Sequence, residues 1–260
     1  MTRLNRFLPL ALFSMTLASE LFLNLALPNE LQARPASGHP TSDSPQTTQL
    51  SVTFEPQGEG KPDNSAGGAS RSPDGKICPQ DTTISQTFIT PLIPVKNEAL
   101  TVAAHPTFLV YMPPTSARKV FFSLQDESKN NLYQKILPIT GESGIISIKL
   151  PTDVPPLEKG KNYKWYFQVM CQNALRPDSP GIEAQIKRVE SVSALSSNLD
   201  KIGSLEQAAV YGKNGIWYDT LATLADLRRS QPENTAYTTN WQQILKSVGL
   251  EAIAKEPLLP

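Results

Sequence analysis

Leu157-Glu158-Lys159-Gly160-Lys161-Asn162-Tyr163-Lys164-Trp165-Tyr166-Phe167-Gln168-Val169-Met170-Cys171 is the stretch that decides the fold. A glycine among charged and amide side chains marks a turn. Behind it the side chains alternate, with Trp165, Phe167, Val169 and Cys171 directed inward and Tyr166 outward. Period-two alternation is the mark of a strand that buries one face. Working outward, the same pattern predicts strands at roughly Thr87 to Pro91, Thr107 to Met112, Lys119 to Gln125, Leu132 to Leu137, Gly144 to Leu150 and Ile182 to Val189. With Tyr163 to Cys171 they make seven. Val120, Phe122 and Leu124 share one face, as do Ile146, Ile148 and Leu150, and Ile182, Ala184 and Ile186, while Ser123, Gln125, Ser147, Lys149, Glu183, Gln185 and Lys187 lie opposite. Apolar-in and polar-out alternation belongs to antiparallel sheets packed on one side.

Leu157-x-x-Gly160-x-x-Tyr163 resembles the tyrosine corner of immunoglobulin-like and fibronectin III domains, in which a tyrosine at the start of this strand bonds back to upstream backbone. The expectation is a mainly β fold with α, a seven-stranded immunoglobulin/fibronectin III-like antiparallel sandwich over residues 81–190, followed by a helical part over 191–260 packed on it. In such a sandwich the first strand begins where the sixth ends, which brings Cys78 within reach of Cys171. Pairing is the favoured reading, and two free thiols, one buried as a small hydrophobe, is the alternative.

Arg3 and Arg6 precede an apolar run from Phe7 to Leu27 that Pro9, Glu20 and Asn24 interrupt, so residues 1–33 read as a signal peptide cleaved after Ala33. The alternative is a retained anchor, because the run approaches the ~20 residues that span a bilayer. Either way the bulk of the chain is expected outside the cytoplasm, in the periplasm or the extracellular space. Residues 34–80, rich in Pro, Gly and Ser, read as a disordered linker relieved only by Leu50-Ser51-Val52-Thr53-Phe54. The 24 basic and 24 acidic residues balance without a long run of either sign, which argues against nucleic acid as a partner. Two histidines and two cysteines are too few to suggest a metal or haem site, so no cofactor is expected.

After Val189 the period changes to that of helices. Ser204-Leu205-Glu206-Gln207 reads as a capping box opening a helix with Ala208 and Gly212 on its inner stripe. Trp217, Leu221, Leu224 and Leu227 line a second helix that Pro232 ends, with Asp219, Asp226, Arg228 and Arg229 turned to water. Tyr237, Trp241, Ile244, Leu245 and Val248 line a third, closed by Gly249. Ala208-x-x-Tyr211, Gly215-Ile216-Trp217-Tyr218-Asp219-Thr220, Leu224, Leu227 and Pro232 are similar to the second half of a tetratricopeptide repeat, which implies a small helical hairpin leaning on the sandwich. The apolar leader, the linker, Leu100-Thr101-Val102, Pro106-Thr107-Phe108, Lys164-Trp165-Tyr166-Phe167 and Asn214-Gly215-Ile216-Trp217-Tyr218-Asp219 together resemble, over residues 75–258, a cyanobacterial exported family known only as domain of unknown function 928. That resemblance implies export and brings no activity.

No catalytic constellation is visible. Asp126 and Glu127 sit side by side in a turn, and Glu142 and Asp153 stand alone. Arg118 and Arg176, in the loops after the second and sixth strands, are the partner-binding candidates on the sandwich, and Tyr218 and Asp219 those on the helices. The expectation is a non-enzymatic protein-interaction or scaffolding module of the cell envelope, with an envelope protein as partner and membrane contact only if the leader is retained. A carbohydrate- or cell-wall-binding domain comes second, with a glycan as ligand and Tyr111, Phe121, Tyr133 and Tyr166 as outward aromatics. A hydrolase comes third.

Overall fold

The computed structural model describes residues 50–56, 76–82, 87–95, 98–172, 174–191 and 203–260. The expected leader and cleavage site, and residues 34–49 and 57–75 of the expected linker, lie outside them. Among the described residues eight strands form: β1 (Thr90–Pro91), β2 (Leu100–Thr101), β3 (Thr107–Met112), β4 (Lys119–Asp126), β5 (Asn131–Pro138), β6 (Gly144–Lys149), β7 (Asn162–Val169) and β8 (Gly181–Arg188). They make a three-stranded sheet in the order β1-β3-β6 and a five-stranded sheet in the order β2-β8-β7-β4-β5. Every pairing is antiparallel except that of β2 with β8. The protein is therefore mainly β with α, and each of the seven expected strands overlaps an observed one. β2 is the addition, at two residues too short to display a period.

The sheets meet through β3. The Phe108 ring lies 5.0 Å from that of Phe122 on β4 and 5.4 Å from that of Trp165 on β7. Trp165, Phe167 and Val169 are wholly buried, as their alternation demands. Burying a side chain of this kind contributes about 1.5–3 kcal/mol, so the seam between β3, β4 and β7 is where stability concentrates. At the mouth of β7 the Tyr163 hydroxyl accepts the Glu158 amide at 2.7 Å, and Gly160, at φ +79°, makes the reversal between them. The tyrosine thus bonds to upstream backbone, as the resemblance to a tyrosine corner implies.

Three helices follow: α1 (Leu205–Lys213), α2 (Trp217–Ser230) and α3 (Thr235–Ser247), with a short 3₁₀ turn at Glu251–Ile253. Ser204 caps α1 by accepting the Gln207 amide at 3.1 Å. The Gln207 carboxamide reaches back to the amide of Gly203 rather than to that of the cap itself. Trp217, Leu221, Leu224 and Leu227 of α2 and Trp241, Ile244 and Leu245 of α3 are buried on the expected stripes. The described residues lie in one compact unit, and strands and helices share one apolar cluster. α2 packs against β2 and β3. Beside β6 the C-terminal segment pairs with the sheet, the Leu259 amide donating to the Ile145 carbonyl and the Ile145 amide to that of Pro257. Both faces of β3 are buried, Phe108 and Val110 on one and Leu109 and Tyr111 on the other.

Two pieces of the stretch expected to be a disordered linker are instead held on the fold. Residues 76–80 are tied down by a Cys78–Cys171 disulfide. Residues 50–56 lie against the helices, because Val52 and Phe54, two apart, both find apolar contacts there.

Candidate recognition surfaces

Tyr218 and Asp219, expected at the surface, are turned into the protein. Tyr218 opens α2 where the helix crosses the edge of the five-stranded sheet. Its hydroxyl accepts the Trp165 indole N–H at 2.8 Å and donates to the Gln185 carbonyl at 2.9 Å. Burial holds its phenol above the ordinary value. Asp219 is half-buried and accepts the Thr101 hydroxyl at 2.7 Å and the Val102 amide at 3.2 Å. Desolvation pushes its carboxyl up to about 6 against those donors. The helical stripe is thus wider than Trp217, Leu221, Leu224 and Leu227 alone, because the helix meets sheet on one flank and helix on the other. Arg228, also expected in water, is half-buried with its guanidinium 5.0 Å from the centre of the Trp241 ring.

Arg118 and Arg176 are exposed, in loops at the end of the molecule that carries the disulfide. The Arg118 guanidinium folds back on its own loop and donates to the carbonyls of Thr115 and Ala117, at 3.2 and 2.8 Å. Its visible work is to clip that loop. The Arg176 amide donates to Ser179 Oγ, which closes the next loop and leaves Leu175 and the arginine side chain outward. Asp81, unexpected from the sequence, organises this end. Its carboxylate accepts the Cys78 amide, the Thr115 hydroxyl and both the amide and the hydroxyl of Ser116. Burial pushes that carboxyl up, but the donors outweigh it and hold it below its ordinary value. Its position three residues after Cys78 was the available signal.

The adjacent turn carboxylates are engaged as structural acceptors. Asp126 takes the backbone and side-chain amides of Asn130, and Glu127 takes those of Asn162. Both carboxyls are lowered chiefly by these bonds. Beside them the outer face of the five-stranded sheet begins. Register places Phe121 opposite Gln168 and Ser123 opposite Tyr166, so Phe121 and Tyr166 are diagonal neighbours on that face, with Ile136 opposite Phe121 on the far side. Tyr166 stands between two depressions. One, of about 420 Å³, runs toward Gln125, Lys164 and Gln185, and the other, of about 230 Å³, lies against Pro177, Asp178 and Gly181. Burial, and after it the Glu183 carboxylate, raises the Tyr166 phenol. The other two aromatics expected on the outside are turned in. Tyr111 is buried between Thr87 and Ser143, to which its hydroxyl bonds, and Tyr133 packs on Phe122.

Among the described residues, no group of three or more His, Cys, Asp or Glu is placed to hold a metal ion, and no helix is long and apolar enough to cross a membrane. Two sheets, three helices in the same core and a disulfide at one end define a stapled, mainly β protein with one sheet face left open among the described residues. The chain belongs to the family described as Domain of Unknown Function (DUF928), whose model matches residues 66–258. No curated protein matches it.

Proposed function

We propose that this chain is a non-enzymatic, exported recognition module that acts in protein interaction or scaffolding at the cell envelope, through the outer face of its five-stranded sheet. The observation that carries the reading is the asymmetry of the two sheets. β3 is covered on both sides, while Phe121, Tyr166 and the exposed Ile136 stand on a face against which no described helix packs. Aromatic side chains bordered by polar groups are the usual anchors of an interface. The sheet order and the Tyr163 bond support reading the strands as an immunoglobulin/fibronectin III-like sandwich, and the α1–α2 pair as a tetratricopeptide-like hairpin. Both architectures commonly serve recognition. The disulfide supports export, since such bonds persist in oxidising compartments. The engaged state of Asp126 and Glu127 supports a non-catalytic role.

A glycan is the second reading, favoured by one observation: Gln168 and Gln125 flank the two rings on the same face and offer planar amides beside a stacking surface. Immobilised full-length protein and its Phe121→Ser/Tyr166→Ser variant, exposed to envelope extract, separate these readings. A protein retained repeatedly by the first and lost from the second supports the interaction reading. A glycan recovered without protein moves the conclusion to the second reading. Equal retention by both proteins removes this face as the site.

A further inference from the structure

Residues 50–56 cross the helices as an extended segment, and the way they are held is that of a bound peptide. Asn240, buried in the middle of α3, accepts the Val52 amide at 2.6 Å on Oδ1 and donates from Nδ2 to the Leu50 carbonyl at 3.3 Å. One carboxamide therefore reads the backbone of the segment as a neighbouring strand would, without regard to its side chains. On the other side the Glu55 amide donates to the Gly212 carbonyl at 3.0 Å. A Cβ on Gly212 would stand 2.2 Å from the Thr53 carbonyl oxygen, so the close approach of segment and α1 requires glycine. Side chains alternate in the same sense. Val52 is buried and Phe54 meets the Trp217 ring edge-on at 4.7 Å, while Ser51, Thr53 and Glu55 face water.

Three features distinguish this segment from a fixed part of the core. It lies outside the residues matched by the family model, whereas Gly212, Trp217 and Asn240 lie inside them. It is joined to the rest through residues 57–75, a length that could extend to roughly 65 Å. Past Phe54 the groove continues as a depression of about 450 Å³ beside Pro94, Val95 and Val248, with Val95 exposed.

We propose that the groove between α1 and α3 is a receptor for an extended peptide carrying a Val-x-Phe pair of apolar anchors, and that residues 50–56 occupy it in cis as a built-in competitor. The site is separate from the open sheet face, and neither depends on the other. A tethered segment competes at an effective concentration of about millimolar, so a free peptide enters readily only when the segment's anchors are removed.

The test uses the full chain carrying Val52→Asp and Phe54→Ser, and a fluorescent peptide with the sequence of residues 49–57, followed by anisotropy. Saturable binding, at least tenfold tighter than to the wild type and weakened at least tenfold by adding Asn240→Ala, is the expected result. A double variant that keeps the wild-type far-ultraviolet circular dichroism and unfolds cooperatively, yet fails to bind the peptide, overturns the proposal, as does binding indifferent to Asn240. Should the double variant not fold, the wild-type groove is tested with a specific protease site inserted between Gly67 and Gly68. After cleavage, the N-terminal fragment is expected to exchange for excess labelled peptide under native conditions. A fragment that does not exchange shows a permanent structural strap and refutes the proposal.

Discussion

Replacing Asp219 with asparagine isolates the electrostatic cost of docking α2 on β2. The Asp219 carboxyl stands at about 6 against an ordinary 3.8, with desolvation the largest cause. The folded value is raised, so the native state holds a proton that the unfolded chain has already released. The stability this group contributes is full below about pH 4, falls as pH rises to about 6, and is level above that. About two units at 1.36 kcal/mol each gives close to 3 kcal/mol. The side chain keeps part of its surface in water, and solvent screening brings the expectation to about 1–3 kcal/mol. Asparagine keeps an oxygen for the Thr101 hydroxyl and the Val102 amide and loses the charge. Thermal unfolding of both proteins from pH 4.5 to 8 measures the difference. At about 2–4 °C per kcal/mol for a domain of this size, the wild type should lose several degrees relative to Asp219→Asn as pH rises to 6.5. Differencing removes other groups, including Asp81, whose lowered carboxyl loses its contribution only as pH falls below its ordinary value. The opposing possibility is concrete. Asp219 lies in the first turn of α2, where the helix dipole favours an anion. A difference curve that is flat, or that rises with pH, means that dipole and donors outweigh desolvation, and refutes the reasoning.

Three further outcomes follow from the same contacts. Reduction of Cys78–Cys171, or its Cys→Ser double variant, should lower stability by about 4–5 kcal/mol in the chain-entropy model, and by less to the extent that Asp81 still anchors the loop; urea midpoints with and without reductant measure it. Tyr218→Phe leaves the Trp165 indole N–H and the Gln185 carbonyl without that partner, which should cost about 1–3 kcal/mol in denaturant unfolding while leaving the open sheet face intact. Gly212→Ala should lift residues 50–56 from the helices, read as faster cleavage near Thr53 in limited proteolysis, whereas unchanged cleavage would mean that α1 can shift to admit the methyl group.

The strands were legible because a sheet with one buried face writes its geometry into the sequence at every second residue. β4, β6, β7 and β8 each carry four or more side chains in that pattern, and the pattern locates all of them. β2 is not located by it, because two residues have no period and its partner β8 lies far along the chain. The helices were legible from their caps and stripes, but the orientation of Tyr218 and Asp219 was not. Periodicity reports which face is apolar and says nothing of a polar residue buried against a partner from elsewhere in the chain. The bond of Asp219 to Thr101 spans 118 positions, and that of Val52 to Asn240 spans 188. Alternation in Leu50-Ser51-Val52-Thr53-Phe54 is the one trace of this docked segment, set in a composition that otherwise reads as linker.

Hydrogen bonds of this long-range kind also explain how surface is apportioned in the molecule. α2 is fastened to the sheets by Trp217 to the Leu92 carbonyl, Tyr218 to Trp165 and Gln185, and Asp219 to Thr101. Such bonds require defined geometry, so the helix cannot slide without breaking several at once. Fixing α2 in this place fixes Trp217 beneath Phe54 and sets α1, which precedes it, at the distance where Gly212 can meet a backbone. The groove is thereby preorganised, which lowers the ordering cost of anything that enters it. At the opposite end the disulfide, Asp81 and the Arg118 clip commit the loops to holding the fold. Recognition through Arg118 would have to break the contacts that order its loop, whereas the outer face of the five-stranded sheet can accept a partner with the rest of the molecule unchanged, and the α1–α3 groove can do so once residues 50–56 leave it.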